Sequence, residues 1–291
     1  MDSDGFSVSD IGELRSPVVI MAFTGWSDTG TVTTDTATRL IEAYRGEPFL
    51  SVEAEEYFVF TETRPTVKLD EAGIRELHWP RNEAFAGRLR DADHDIIIVR
   101  GVEPDLKWRT FAQRLAKEIA RFSPSLVCTL VARPAAAPHT RPVQVNGSSA
   151  DAALAERFGL GRSMYQGPTG ILGVIHDALR TYSTPLISLA AAVPHYLNVE
   201  ENPPATRALL RALEPVIGLA PPLGDLDEET SRFIERVEEA SRGDDQIGAY
   251  VRSLEESYGS GEEPDDEGGA DLPNADDILR DIEDLLRGGK D

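Results

Sequence analysis

PVVIMAFTGWSDTGTVTTD (17–35) joins an unbroken apolar run to a glycine-bearing turn and then to polar residues that can open a helix. The run VVIMAF (18–23) has strand length and no polar alternation, the pattern of a parallel strand buried on both faces. Gly25 lets the backbone reverse, and Ser27 or Asp28 can cap the helix that follows. That helix carries Ala37, Leu40, Ile41 and Tyr44 at helical spacing and stops at Gly46 and Pro48.

The same grammar repeats along the chain. DIIIVRG (95–101) reads as the central strand, SLVCTLVA (125–132) as another, RPVQVNG (141–147) as a shorter one, and PLISLAAAVP (185–194) as the last strong one. FLSVEAEEYFVF (49–60) reads as extended. Between the strands, Phe111, Leu115, Ile119 and Phe122 share a helical face. Helices are expected over 149–158, 170–182 and about 203–217. Alternating strands and helices predict an α/β fold, a mostly parallel sheet covered on both faces. Residues 61–80 break the pattern with Pro65, Gly73 and Pro80 and read as a hairpin insertion.

After Pro221-Pro222 the strand signal ends. Phe233/Val237/Ala240 and then Ile247/Val251/Leu254/Tyr258 predict a C-terminal helical hairpin over 223–258, packed on the core as a lid. The organisation expected is a flexible N-terminus (1–14), an α/β core (15–222), the hairpin and an acidic, flexible tail (259–291). The tail carries 12 Asp+Glu against 3 Lys+Arg, and its Ile278, Ile282 and Leu285 share one helical face.

Charge excludes several function classes. With 29 Lys+Arg against 51 Asp+Glu, the formal charge of −22 opposes nucleic acid and anionic membrane surfaces. One cysteine, Cys128, rules out an intramolecular disulfide framework and a cysteine-rich metal site. His78, His94 and His139 are scattered without metal-ligand spacing, so neither metal nor cofactor is expected. The polar, acidic start MDSDGFSVSD reads as no secretory signal, and a cytoplasmic location is expected.

Candidate site residues gather at strand ends, where open α/β sheets bind ligands. Gly25, Trp26, Ser27 and Asp28 form the first turn, which either presents helix N–H groups to a ligand or simply caps its own helix. Trp26 either stacks on a flat ligand or packs beneath the helical hairpin. Arg100 and Arg133 end two strands, where each meets an anionic ligand or a local acid such as Glu103. Tyr165, Gly167, Thr169 and Gly170 lie in YQGPTG, a rigid loop whose Thr169 can cap the next helix. His195 and Tyr196 follow the last strand; the histidine serves as acid or base, or holds the structure. His176 reads as structural, Cys128 as buried and inert. No nucleophile–base pair is fixed by spacing.

Three stretches in this order, VVIMAFTGWSDTG (18–30), MYQGPTGILGVIHDAL (164–179) and STPLISLAAAVPHYLNVEENPPATRALLRALEPVIGL (183–219), resemble the PAC2 family of proteasome assembly chaperone 2-like proteins, in its actinobacterial branch. The resemblance spans roughly 15–220. It implies a three-layer phosphorylase/hydrolase-like fold, kin to purine nucleoside phosphorylases, peptidyl-tRNA hydrolases and some carboxypeptidases. It also implies relatives that chaperone or bind proteasomes. Fold kinship does not transfer an activity. Proteasome-docking relatives use a C-terminal hydrophobic–Tyr–any tripeptide, whereas this sequence closes on Gly-Lys-Asp, a departure that sets that docking mode aside.

Two readings follow. The favoured one is a non-enzymatic binding or assembly protein, with the proteasome core as possible partner and the tail as a docking segment. The alternative is an enzyme or sensor for a small polar, nucleoside-like metabolite held in the strand-end cleft. A homo-oligomer is expected through the 61–80 insertion, a trimer by analogy with the fold's relatives.

Overall fold

The computed structural model describes residues 4–70, 72–197, 199–242 and 245–259. An eight-stranded sheet runs in the order β1-β3-β6-β7-β2-β8-β10-β9. Its elements are β1 (Phe6–Val8), β2 (Val18–Thr24), β3 (Glu47–Val52), β6 (Asn82–Gly87), β7 (Ile96–Val102), β8 (Leu126–Ala135), β9 (Val145–Ser148) and β10 (Leu186–Pro194). The four central strands, β7-β2-β8-β10, are parallel, and both flanks continue antiparallel.

Burial on both faces explains the apolar runs. In β2, Val19, Met21 and Phe23 point into one core, while Val18, Ile20 and Ala22 point into the other. The first core is covered by α2 (Trp108–Ala120) and α4 (Ile171–Arg180), through Phe111, Leu115, Ile119, Ile171, Ile175 and Leu179. The second is covered by α1 (Val32–Ala43), α3 (Ala152–Phe158), α5 (Pro203–Ala212) and α6 (Glu214–Ile217). This is the three-layer α/β architecture expected.

Several local expectations need correction. Residues 6–8 are not a free N-terminus: they pair with β3, Phe6 is buried, and Asp4 accepts a hydrogen bond from Tyr57 Oη through its carbonyl (2.7 Å). Aromatic packing among Phe6, Tyr57 and Phe111 holds this edge. Only the first part of 49–60 pairs as a strand; Tyr57 and Phe58 turn inward to pack. The expected helix 203–217 is two helices. Pro215 has no N–H to give and its ring crowds the carbonyl four residues back, so the helix restarts at Glu214.

The 61–80 hairpin forms a separate two-stranded sheet, β4 (Thr66–Leu69) with β5 (Arg75–His78). Its turn is built on Asp70, whose carboxylate accepts the N–H groups of Ala72 and Ile74. Val67 pairs with Leu77, and Val67, Leu69 and Leu77 are each more than half exposed.

The C-terminal helices α7 (Leu226–Arg242) and α8 (Asp245–Gly259) close a third cluster, in which Phe233, Val237, Val251 and Leu254 bury Tyr196 and Leu197. Arg39 of α1 ties α7 down through Asp225 (3.3 Å) and Glu229 (2.5 Å). The expected tail lies outside the described residues. Among the described residues no helix is long and apolar enough to cross a membrane.

Candidate functional site

The strand-end crevice expected from the sequence is the place where β2, β7 and β8 deliver the GWSDTG turn, Arg100-Gly101 and Arg133. The turn lies along β8: the Ala132 N–H donates to the Ser27 carbonyl (2.8 Å), and Asp28 bridges Ala132. Ser27 and Asp28 are buried.

Asp28 does cap α1, but across a 3-10 turn at 29–31. Its Oδ1 accepts the Thr33 N–H (2.6 Å) and Thr33 Oγ1 (2.8 Å), and its Oδ2 accepts Thr34 Oγ1 (2.6 Å). Burial pushes its pKa up, and the three threonine donors pull it back. The anion-favouring end of α1 thus holds a carboxylate of its own chain.

A second carboxylate lies beside the N-terminus of α4, without a side-chain cap hydrogen bond. Glu103, two residues beyond Gly101, sits near the backbone N–H groups of Trp26 and of Ile171, the first residue of α4. Burial raises its pKa, and these donors oppose the rise. A Cβ on Gly170, the residue before α4, would lie 3.1 Å from Glu103 Oε2. Thr169 is therefore not the cap: its Oγ1 leans over Gly173 instead. Gly25 has φ +115, and a Cβ there would sit 2.9 Å from Glu103 Cβ. Glycine is required there on both counts. One side chain thus lies between the GWSDTG turn and the YQGPTG loop.

Arg100 is turned aside from the crevice. It donates to Thr38 Oγ1 on α1 (3.0 Å), faces Glu83 on β6 (3.7 Å), and lies over the Phe85 ring at 5.6 Å. Its acid is the cross-strand Glu83, not Glu103. Gly101 is held free of a side chain by Asn82, whose Oδ1 accepts the Val102 N–H (2.9 Å) where a Cβ on Gly101 would stand. Arg133 is exposed on β8, opposite Ala192.

His195 and Tyr196 sit beneath the helical hairpin. The Ala135 carbonyl lies 2.9 Å from His195 Nδ1, so that nitrogen carries the proton. Nε2 then accepts from Tyr250 Oη of α8 (2.8 Å). Tyr196 Oη accepts the His139 N–H and lies 2.7 Å from His139 Nδ1. Burial raises Tyr196 well above the usual tyrosine range and lowers His139, against Glu238 and Glu255. The four rings of His139, His195, Tyr196 and Tyr250 meet edge to face. This is a latch: Nδ1 fixes the His195 ring to β8, and Nε2 holds Tyr250 of α8.

Large aromatic and apolar side chains are among those that face solvent. Trp26 is 68% exposed beside Gly170, not beneath the hairpin; Met164 is 78% and Tyr165 57% exposed. Tyr165 folds back to its own loop, donating to the Pro168 carbonyl (2.8 Å) and covering Gly167. Of the sequence-derived candidates, only Thr169 lines the large cavity of about 1000 Å³, which runs between α2 and α4. Sequence reasoning missed Glu103 beside the start of α4, Glu83, and the His139 and Tyr250 halves of the latch. An acid placed just past a central strand, as in RGVE (100–103), was the one available signal for Glu103.

His176 and Cys128 are structural. His176 Nε2 lies 2.9 Å from Thr129 Oγ1, and burial lowers its pKa to about 4. Cys128 is buried and its thiol is pushed far above its usual range. Among the described residues no group of three or more His, Cys, Asp or Glu could hold a metal ion.

The chain matches the PAC2 family model over residues 22–241. It is similar to a PAC2 family protein of Streptomyces avermitilis, at 37% identity and TM-score 0.73, covering 81% of this chain and 99% of that one. It is similar to a proteasome-assembly chaperone homologue of Mycobacterium tuberculosis, at 36% identity and TM-score 0.72, covering 80% and 99%. An archaeal proteasome activator of Pyrococcus furiosus shares the fold at 18% identity, with TM-score 0.66 over 81% of this chain and 98% of that one. No curated protein matches the chain. A match over most of its length, with actinobacterial relatives above 30% identity, places the chain in the PAC2 family, in its actinobacterial branch.

Proposed function

We propose that this chain is a non-enzymatic binding and assembly protein that works through its surface, with the proteasome core as its partner. The observation that carries this reading is the state of the crevice. Of its two helix N-termini, the places where this architecture would hold an anionic ligand, that of α1 is capped by Asp28 and that of α4 has the Glu103 carboxylate beside it. The residues left outward, Trp26, Met164 and Tyr165, are large and apolar, the types that anchor protein interfaces. Two structural relatives with proteasome-related descriptions fit the same reading. The metabolite reading needs the helix ends and Arg100 free, and each has a partner within the chain.

Self-association is part of the proposal. A lone two-stranded hairpin is marginal in water, and β4–β5 exposes Val67, Leu69 and Leu77 on one face. A second copy covering that face completes it.

The test is co-sedimentation of the full chain with purified proteasome core particle, beside Trp26→Ala/Tyr165→Ala. The wild type moves with the particle and the double variant does not. Loss of neither, or no complex with the core particle or its half-assembled precursors, overturns the reading.

A further inference from the structure

A groove of about 1000 Å³ lies between α2 and α4, on the face away from the helical hairpin. Its floor is made of small and apolar groups, Ala112, Gly173, Val174 and Ala178, which let another backbone approach closely. One wall is a stripe of Arg109, Gln113 and Lys117, exposed and spaced by four residues along α2. The acids at the rim are engaged: Asp4 faces Arg114 (3.5 Å), and Asp177 pairs with Arg180. In a chain of formal charge −22, this is a basic, apolar-floored slot.

The sequence contains a segment of matching chemistry. DDILRDIEDLL (276–286) places Ile278, Leu279, Ile282, Leu285 and Leu286 at three- and four-residue spacing and carries five acids against one arginine. An apolar helical face laid into a groove is a recurrent recognition mode, and here charge complementarity adds to it. Reach is sufficient. The 16 residues 260–275 extend to roughly 55 Å, and a body of this length has a radius of gyration of roughly 18 Å.

We propose that residues 276–286 seat in the α2/α4 groove of the same chain, apolar face to the floor and acids toward Arg109 and Lys117. The segment thereby shields the groove from other partners, independently of what the loop rim binds.

The chain's lysines make the test simple, because there are four: Lys68, Lys107, Lys117 and Lys290. Zero-length carbodiimide cross-linking of the full chain, read by mass spectrometry, should join Lys117 to Asp281, Glu283 or Asp284. The substitution Ile282→Asp keeps every acid and should abolish that link. Links from the same acids to Lys68 or Lys107 instead of Lys117, or a Lys117 link that survives Ile282→Asp, overturn the proposal. Mixing isotopically light and heavy protein separates the remaining case: mixed-isotope links to Lys117 place the segment on a second copy and overturn the same-chain seat.

Discussion

Replacing Glu103 by alanine tests the idea that the chain fills its own anion site. The N–H groups of Trp26 and Ile171 lose a nearby carboxylate, and α4 loses the negative charge beside its N-terminus. A partly buried charge at a helix end contributes about 0.3–2 kcal/mol. The raised pKa of Glu103 says that burial already offsets part of this, so the expected loss is about 1–2 kcal/mol. For a chain of this size that is roughly 2–8 °C in melting temperature. The emptied helix end should then accept a replacement. Formate or inorganic phosphate at tens of millimolar should restore stability to Glu103→Ala and leave the wild type unmoved. Denaturation with and without the anion reads both effects. A variant as stable as the wild type, or a wild type stabilised as strongly by the same anion, refutes the reasoning.

Other outcomes follow from the same geometry. Gly101→Ala drives a Cβ into Asn82 Oδ1, at 1.8 Å without relaxation, and should cost at least about 2 kcal/mol in urea unfolding. Tyr250→Phe removes the donor to His195 Nε2; it should cost about 1 kcal/mol and speed amide exchange in α8 more than in the sheet. His176 is neutral in the fold with a pKa near 4, below its unfolded value, so the unfolded chain binds the proton first. Its contribution is complete above the unfolded pKa and is lost as pH falls from about 6.5 toward 4. Wild type minus His176→Gln should therefore shrink by up to about 2 kcal/mol between pH 6.5 and 5. Leu69→Ser/Leu77→Ser should leave the fold intact and shift sedimentation toward the 31.8 kDa monomer; a wild type already monomeric at micromolar concentration defeats the self-association proposal.

What was legible in the sequence follows from burial. Strands β2, β7, β8 and β10 lie between helix layers, so most of their positions are apolar and the runs stand out. The helical hairpin is equally plain, because Phe233, Val237, Val251 and Leu254 keep strict helical spacing. Strand β1 is hidden because a three-residue edge strand carries no periodicity, only one buried Phe6. The site was half visible. Strand ends and turns point to the crevice, but what fills it depends on contacts between residues far apart in sequence. Glu103 reaches α4 across nearly seventy residues, and His195 meets Tyr250 across 55. Spacing carries neither. Arg100 shows the limit well: its strand-end position suggested a ligand, while its true partners, Thr38 and Glu83, come from α1 and a neighbouring antiparallel strand.

The account's central claim is that the crevice is closed by the chain's own carboxylates and that the protein acts through its surface. The most direct measurement is a thermal-shift screen of the wild type against nucleosides, nucleotides, amino acids and sugar phosphates. A ligand at about 100 times its Kd would add roughly 2.7 kcal/mol, a shift that cannot be overlooked. The account predicts no shift for the wild type and an anion-dependent shift for Glu103→Ala. A wild-type shift that disappears on Trp26→Ala or Arg100→Ala would contradict it, and would make the crevice a working ligand site.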